Sequence, residues 1–221
     1  NTGASFNIIM NGGFEDDILW GNAGDDSIAA ASGNDNLDGG PGNDVLYGDD
    51  GDDVIYGGAG DDELYGDRSG LSIFNVGNDT VFGGEGNDLI GGGYGNDILN
   101  GDEGDDTIFG EIGDDAIFGG SGNDKVLYDR LFGDFVWEVL SSSQGYSFFD
   151  TTGIYGTDEL YGIETVQFSD GVFSDGTFAY TKEARIPVPS TVWLFLVALA
   201  LIATLAYRKK RASLGGVVSV G

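Results

Sequence analysis

The sequence predicts an all-β chain: a parallel β-solenoid wound as a flattened roll, a β-rich cap at its C-terminal end, and one C-terminal hydrophobic α-helix. Three observations predict it. A nine-residue frame runs from Gly12 almost to Leu127, an aromatic and β-branched block replaces it from Tyr128 to Gly171, and the 22 residues from Ile186 to Tyr207 carry no charge. These features divide the 221 residues into an N-terminal cap (1–11), the roll (12–127, interrupted at 68–75), a capping region (128–171), a linker (172–190), an apolar helix (191–207) and a basic cluster with its tail (208–221).

The frame comes first because internal periodicity decides the architecture. Twelve rows begin at positions 12, 21, 30, 39, 48, 57, 66, 83, 92, 101, 110 and 119. The sixth position is Asp in every row: Asp17, Asp26, Asp35, Asp44, Asp53, Asp62, Asp79, Asp88, Asp97, Asp106, Asp115 and Asp124. The eighth is always aliphatic: Leu19, Ile28, Leu37, Leu46, Ile55, Leu64, Val81, Ile90, Leu99, Ile108, Ile117 and Val126. The fifth is Asn or Asp throughout, and the fourth is Gly in all rows but the first, where Glu15 stands. One row, Gly66–Phe82, carries an eight-residue insertion. Glycines at positions one, two and four supply positive φ and let turns stack closely. The pattern x-apolar-x that ends each row makes a short strand with one side chain pointing inward. Two rows then make one coil of turn, strand, turn, strand. Six coils at ~4.8 Å give a cylinder of roughly 29 Å with two parallel sheets, odd rows on one and even rows on the other.

Charge and composition narrow the function. There is no Cys and no His, which removes thiolate nucleophiles, disulfides, the commonest general base and the usual catalytic-zinc ligand. A net charge of −29 excludes nucleic acid as a partner, since nothing would neutralise phosphates. Four of the nine basic residues are Arg208–Arg211, so the segment before them is more acidic still and repels itself unless cations are bound. A hard cation takes six to eight oxygens at ~2.3–2.6 Å from carboxylates and carbonyls in a flexible cage, and calcium tolerates such a cage better than magnesium. The turn of one row faces the turn two rows on, so twelve rows provide ten facing pairs, hence up to about ten calcium ions. The candidate ligands are the twelve position-six aspartates, the carbonyls of Gly24, Gly33, Gly42, Gly51, Gly60, Gly86, Gly95, Gly104, Gly113 and Gly122, and the position-five residues Asn43, Asn87, Asn96, Asp52, Asp61 and Asp105.

The rows carry the signature G-G-x-G-x-D-x-U-x, plainest in Gly39–Tyr47 (GGPGNDVLY) and Gly57–Tyr65 (GGAGDDELY). The segment resembles the RTX, or haemolysin-type, calcium-binding repeats. The resemblance implies a parallel β-roll with calcium lodged between turns, and a roll that is disordered without metal, as expected where metal binding and folding are coupled.

A solenoid exposes its last apolar row unless it is capped. The block after Tyr128 suits that role, with Phe135-Val136-Trp137-Glu138-Val139, Tyr146-Ser147-Phe148-Phe149 and a closing run from Gly156 to Gly171. At the other end Phe6, Ile8, Ile9 and Met10 are expected to form a degenerate half-coil over the first row. A chain that opens on Asn1 reads as a processed product or a fragment.

Val192–Tyr207 (VWLFLVALALIATLAY) is almost wholly apolar. At ~1.5 Å per residue it spans about 24 Å, close to a bilayer's hydrocarbon core. Pro187 and Pro189 mark its start, and Trp193 and Tyr207 suit the interfaces. The basic cluster is expected on the cytoplasmic side, leaving the roll outside. The motif Ile186-Pro187-Val188-Pro189-Ser190, the apolar span and the basic cluster resemble the C-terminal sorting signals of the PEP-CTERM class, in the V-P-x-P-[AS] variant. That resemblance implies a sorting peptidase of the exosortase type. An uncleaved membrane anchor is the alternative.

The expected function is a non-enzymatic, calcium-binding extracellular protein, anchored or sorted at the cell surface, serving structure or adhesion. A position-six Asp preceded by Asn or Asp recurs in every row, as a structural metal ladder requires and a single active site does not. A second reading is the subunit of an extracellular filament that self-associates through roll ends or the apolar helix. A third is a non-catalytic module of a secreted enzyme. Outward aromatics at position nine, Tyr47 and Tyr65 on one sheet and Trp20, Tyr56 and Phe82 on the other, offer either a stripe for a partner such as a surface polysaccharide or simple in-register stacking.

Overall fold

Each row places one aliphatic side chain between two outward-pointing neighbours, and a strand can bury such a row only by laying it against another sheet. The computed structural model describes residues 6–67, 77–129, 134–140, 145–151, 156–169, 171–174 and 177–180, with 138–140 and 177–180 described by their backbone alone. The chain divides into two units, Asn1–Thr181 and Lys182–Gly221, and every described residue belongs to the first. The insertion at 68–75, the motif at 186–190, the helix expected at 191–207 and the basic cluster lie outside the described residues. Among the described residues no helix is long and apolar enough to cross a membrane.

The strands in chain order are β1 (Ile9–Gly13), β2 (Ile18–Trp20), β3 (Ser27–Ser32), β4 (Asn36–Pro41), β5 (Val45–Asp50), β6 (Val54–Ala59) and β7 (Glu63–Tyr65). After the insertion come β8 (Thr80–Glu85), β9 (Leu89–Tyr94), β10 (Ile98–Glu103), β11 (Thr107–Ile112), β12 (Ala116–Ser121) and β13 (Lys125–Leu127). Beyond the repeat are β14 (Phe135–Leu140), β15 (Gly145–Asp150), β16 (Thr157–Tyr161), β17 (Thr165–Phe168), β18 (Gly171–Ser174) and β19 (Thr177–Tyr180).

Alternate strands build two sheets, as the two-row coil requires. One runs β1-β3-β5-β7-β9-β11-β13-β17-β18-β19, the other β14-β15-β16-β12-β10-β8-β6-β4-β2. Within the repeat all pairing is parallel and in register, with Leu19 opposite Leu37, Ile28 opposite Leu46 and Ile55 opposite Val81. The result is an all-β parallel solenoid of about six turns. The twelve position-eight aliphatics fill its interior: Leu19, in the edge strand β2, is 9% exposed and the other eleven are fully buried. Position nine faces outward, and the aromatics there stack on one another: Tyr47 on Tyr65 at 5.3 Å and Tyr56 on Phe82 at 5.1 Å, with ring planes within 9°. Their faces are turned to each other along the roll, so in-register stacking accounts for Tyr47, Tyr65, Tyr56 and Phe82, whereas Trp20 lies opposite Asp38.

The N-terminal half-coil exists, but β1 covers the second row. Met10 lies opposite Ile28 and packs on the core, while Phe6 and Ile9 stay exposed and β2 forms the open edge of the other sheet.

The C-terminal boundary differs from the one expected. Parallel pairing does not stop at Leu127: β16 continues one sheet beside β12, with Leu160 opposite Ile117, and β17 continues the other beside β13, with Val166 opposite Val126. Capping proper falls to antiparallel strands, β15 and β14 on one sheet and β18 and β19 on the other. Residues 171–180 therefore include two strands where a linker was expected from 172. The reason is the alternation in Gly171–Ser174, which buries Phe173 among Trp137, Tyr146 and Phe148. Tyr128, Phe135, Phe148 and Phe168 complete this aromatic plug behind the last aliphatic row, with neighbouring ring centroids 4.9–6.5 Å apart.

Candidate metal centre

The turns between strands stack along each edge of the roll, and two side-chain ladders run through them in opposite directions. From Asp35 onward, Oδ1 of each position-six aspartate accepts the amide N–H of its counterpart one coil earlier, and Asp26 accepts from Ile8. Asp26 N–H donates to Asp44 at 2.7 Å, Asp44 to Asp62 at 2.7 Å, Asp79 to Asp97 at 2.9 Å, Asp88 to Asp106 at 2.8 Å and Asp97 to Asp115 at 2.9 Å. The position-five side chains point the other way. Asn43 Oδ1 accepts from Asp61 N–H, Asp52 from Asn78, Asp61 from Asn87, Asn87 from Asp105, Asn96 from Asp114 and Asp105 from Asn123, at 2.8–3.2 Å on the exposed side of the turn. This outer ladder supports the stack and lies apart from the buried carboxylates.

The inner carboxylates present an unmet requirement. Their residues, from Asp26 to Asp124, are at most 2% exposed. Oδ2 of Asp26, Asp35, Asp44, Asp53, Asp62, Asp79, Asp88, Asp97, Asp106, Asp115 and Asp124 is buried with no hydrogen-bond donor. Native proteins rarely leave such atoms unpaired, and a buried charge needs a counter-charge. Asp17, in the first row, is half-buried and is not in this set.

What faces Oδ2 is read from the glycine at position one. A methyl group placed on Gly101 would lie 2.2 Å from Asp106 Oδ2 and 2.4 Å from the carbonyl oxygen of Gly119, one coil on. The same pair of oxygens meets a methyl on Gly39 (Asp44 and Gly57), Gly66 (Asp79 and Gly92) and Gly83 (Asp88 and Gly101). Position one is therefore glycine for room, not for φ. Positive φ occurs at positions two and four, where Asn22, Ala31, Asp49, Asp102 and Glu111 show that position two tolerates side chains. Position four is left-handed as expected: φ is +145° at Gly42, and similar at Gly24, Gly33, Gly51, Gly60, Gly86, Gly95, Gly104, Gly113 and Gly122. Their carbonyls aim along the roll, since a methyl on Gly42 would lie 1.9 Å from the Gly24 oxygen.

Electrostatics make the same point. Burial raises the Asp53 carboxyl to about 8, Asp79 and Asp115 to about 9, Asp62 and Asp97 to about 7, and Asp88 and Asp124 to about 6, and neighbouring carboxylates add to the rise. Asp35, Asp44 and Asp106 are raised for the same first reason, while amide donors pull the other way. Among the described residues no group of three or more Asp or Glu side chains is arranged to hold a metal ion. The donor set of each turn is a carboxylate with backbone carbonyls, all hard oxygens, which fits calcium and not a thiolate- or imidazole-seeking metal.

Sequence reasoning missed two members of the ladder. Asp115 N–H donates to Asp158 Oδ1 at 3.2 Å, and Asp124 N–H to Glu164 Oε2 at 2.8 Å, so the capping region supplies one more position-six residue to each edge. The signal was present in Gly156-Thr157-Asp158-Glu159-Leu160-Tyr161-Gly162, which repeats positions four to nine and the next glycine.

A parallel β-solenoid whose two edges are ladders of buried carboxylates facing glycine cradles is, as a class, a cation-binding roll. The RTX calcium-binding nonapeptide repeat matches the chain four times, at residues 9–37, 38–69, 75–98 and 91–126, just over half of its length; the chain belongs to this family. RTX repeats bind calcium and typify secreted or extracellular proteins. No curated protein matches the chain.

Proposed function

We propose that the chain is a non-enzymatic extracellular protein whose roll is completed by calcium held between successive coils, and which serves structure or adhesion at the cell surface. The observation that carries this reading is the set of buried, unpartnered Oδ2 atoms, which in Asp26, Asp44, Asp62, Asp79, Asp88, Asp97, Asp106 and Asp124 share a glycine cradle with a carbonyl of the next coil. In this reading Oδ2 of each position-six aspartate and the glycine carbonyls of the turns are the ligands, with several ions bound, up to about ten. Extracellular modules bind calcium at about 10⁻⁴–10⁻³ M, concentrations met outside cells. The activity is mechanical: without cations the carboxylates repel, and with them the coils lock. Far-UV circular dichroism of the full chain tests this. Order gained on adding millimolar calcium is expected, and equal order in chelator would overturn the reading.

The C-terminal region completes the proposal. In this reading the apolar run 191–207 serves as the membrane or sorting segment, with Ile186–Ser190 as the motif a sorting peptidase reads. The intact mass of surface-derived protein distinguishes the two: loss of residues after about Ser190 means sorting, and retention means a membrane anchor.

One observation favours self-association into a filament as a second reading. Phe6, Ile9, Phe14, Ile18 and Trp20, all 58–91% exposed, lie at the N-terminal end of the roll, where β1 and β2 are edge strands. Light scattering of the intact chain in calcium, without detergent, tests it, since monomers alone would exclude the filament.

A further inference from the structure

The two edges of the roll end differently. On the first, Asp158 follows Asp115 in the ladder, and its Oδ2, the atom left unpartnered in eleven other aspartates, accepts the hydroxyl of Tyr128. Tyr128 stands where the next row would begin with glycine, and both residues are buried. A side-chain hydroxyl thus satisfies the oxygen that is left without a donor elsewhere in the ladder.

On the second edge the ladder stays open. Asp124 is fully buried and its Oδ2 has no partner. A methyl on Gly119 would lie 2.5 Å from that atom and 2.4 Å from the carbonyl oxygen of Gly162, the same cradle as in the repeat. Thr165 N–H donates to the Asp124 carbonyl at 3.1 Å, as Lys125 N–H does to Asp106 at 2.9 Å, so the coil register holds. Glu164 takes the place of the next aspartate, its Oε2 accepting Asp124 N–H. It is exposed, which gives an ion a route in.

We propose that Asp124 Oδ2, the Gly162 carbonyl and the Glu164 carboxylate form a further calcium site at the C-terminal end of the second edge, while Tyr128 closes the first edge without metal. Gly162 and Glu164 lie beyond the residues matched by the repeat family. The proposal rests on the reading that cations occupy the cradles. It also makes the roll asymmetric: the first edge ends in a metal-free clasp, the second in a site open to solvent.

Native mass spectrometry of the full chain in calcium, which resolves single bound ions, tests it. Glu164→Gln keeps an acceptor for Asp124 N–H and removes only the charge. It is expected to lose one ion, or to weaken one site by about tenfold or more. Asp158→Asn is expected to leave the count unchanged, because its second oxygen is already satisfied by Tyr128. An unchanged count and affinity in Glu164→Gln would overturn the new site, and a lost ion in Asp158→Asn would overturn the closure by Tyr128. Wild-type protein that binds no calcium would instead sink the underlying reading, a distinct outcome.

Discussion

Asp53 and Asp79 are 26 residues apart, yet the amide of Asp53 donates to Oδ1 of Asp79 at 2.8 Å, the same bond that joins partners 18 residues apart elsewhere in the ladder. Asp62 and Asp88 repeat the relationship at 2.9 Å. The inserted row therefore keeps the register of both edges, and Ile55 still faces Val81 across β6 and β8.

Deletion of residues 68–75 should accordingly leave the calcium count unchanged. Loop length affects stability only logarithmically, so the shift should stay within about 1 kcal/mol. Native mass spectrometry and a calcium titration followed by circular dichroism check both expectations. Loss of two or more ions would show that the insertion supplies ligands.

The metal-free chain should order itself as pH falls. The ladder carboxyls are raised in the folded state, from the ordinary 3.8 to about 6 at Asp88 and Asp124 and about 9 at Asp79 and Asp115. A raised acid leaves its full stability in place below the unfolded value and loses it as pH rises through the folded one. In chelator, β-structure should therefore increase between pH 8 and pH 5. Calcium affinity should move oppositely, because protons compete for the same oxygens. Circular dichroism at several pH values, with and without calcium, reads both trends.

Asp79→Asn should separate these two roles. The amide keeps an acceptor for Asp53 N–H and discards a charge that burial strongly opposes. In chelator at pH 8 the variant should be more ordered than the parent. In calcium it should bind one ion fewer and need a higher concentration to fold. A variant less ordered in both conditions would mean that the carboxylate serves the fold by some means other than metal.

The architecture was legible because one row repeats twelve times and each repetition restates the same requirement, an inward aliphatic between glycine turns. All twelve aliphatics lie where the period puts them. The two rows contributed by the capping region were hidden for physical reasons. The strands β14 and β15 intervene, so Asp158 lies 43 residues from Asp115, and the last row is shortened, with Glu164 two residues after Gly162. A period search sees spacing, whereas the sheet needs only that Leu160 and Val166 reach Ile117 and Val126. At position one, where both positive φ and close stacking were expected, only the second holds. Glycine signals either positive φ or close approach, and sequence does not say which until the Asp106 carboxylate is seen beside Gly101.

That distinction gives a paired test at position one. The sequence already contains the exception, Ala30, which is fully buried and heads the row of Asp35. Its Cβ takes up the room that glycine leaves at position one of all the other rows. Gly101→Ala should reproduce that crowding: its Cβ would sit 2.2 Å from Asp106 Oδ2, a separation that forces the carboxylate aside. Backbone strain is not the cause, since Gly101 is not among the positive-φ residues. The affinity of one site should fall by about tenfold or more. Ala30→Gly should do the reverse, tightening the Asp35 site although glycine costs the metal-free chain about 0.5–1 kcal/mol in backbone entropy. Opposite shifts in calcium affinity for the two variants, measured by titration calorimetry, are what a cradle shared by a carboxylate and a carbonyl requires. Two shifts of the same sign would locate the ion elsewhere.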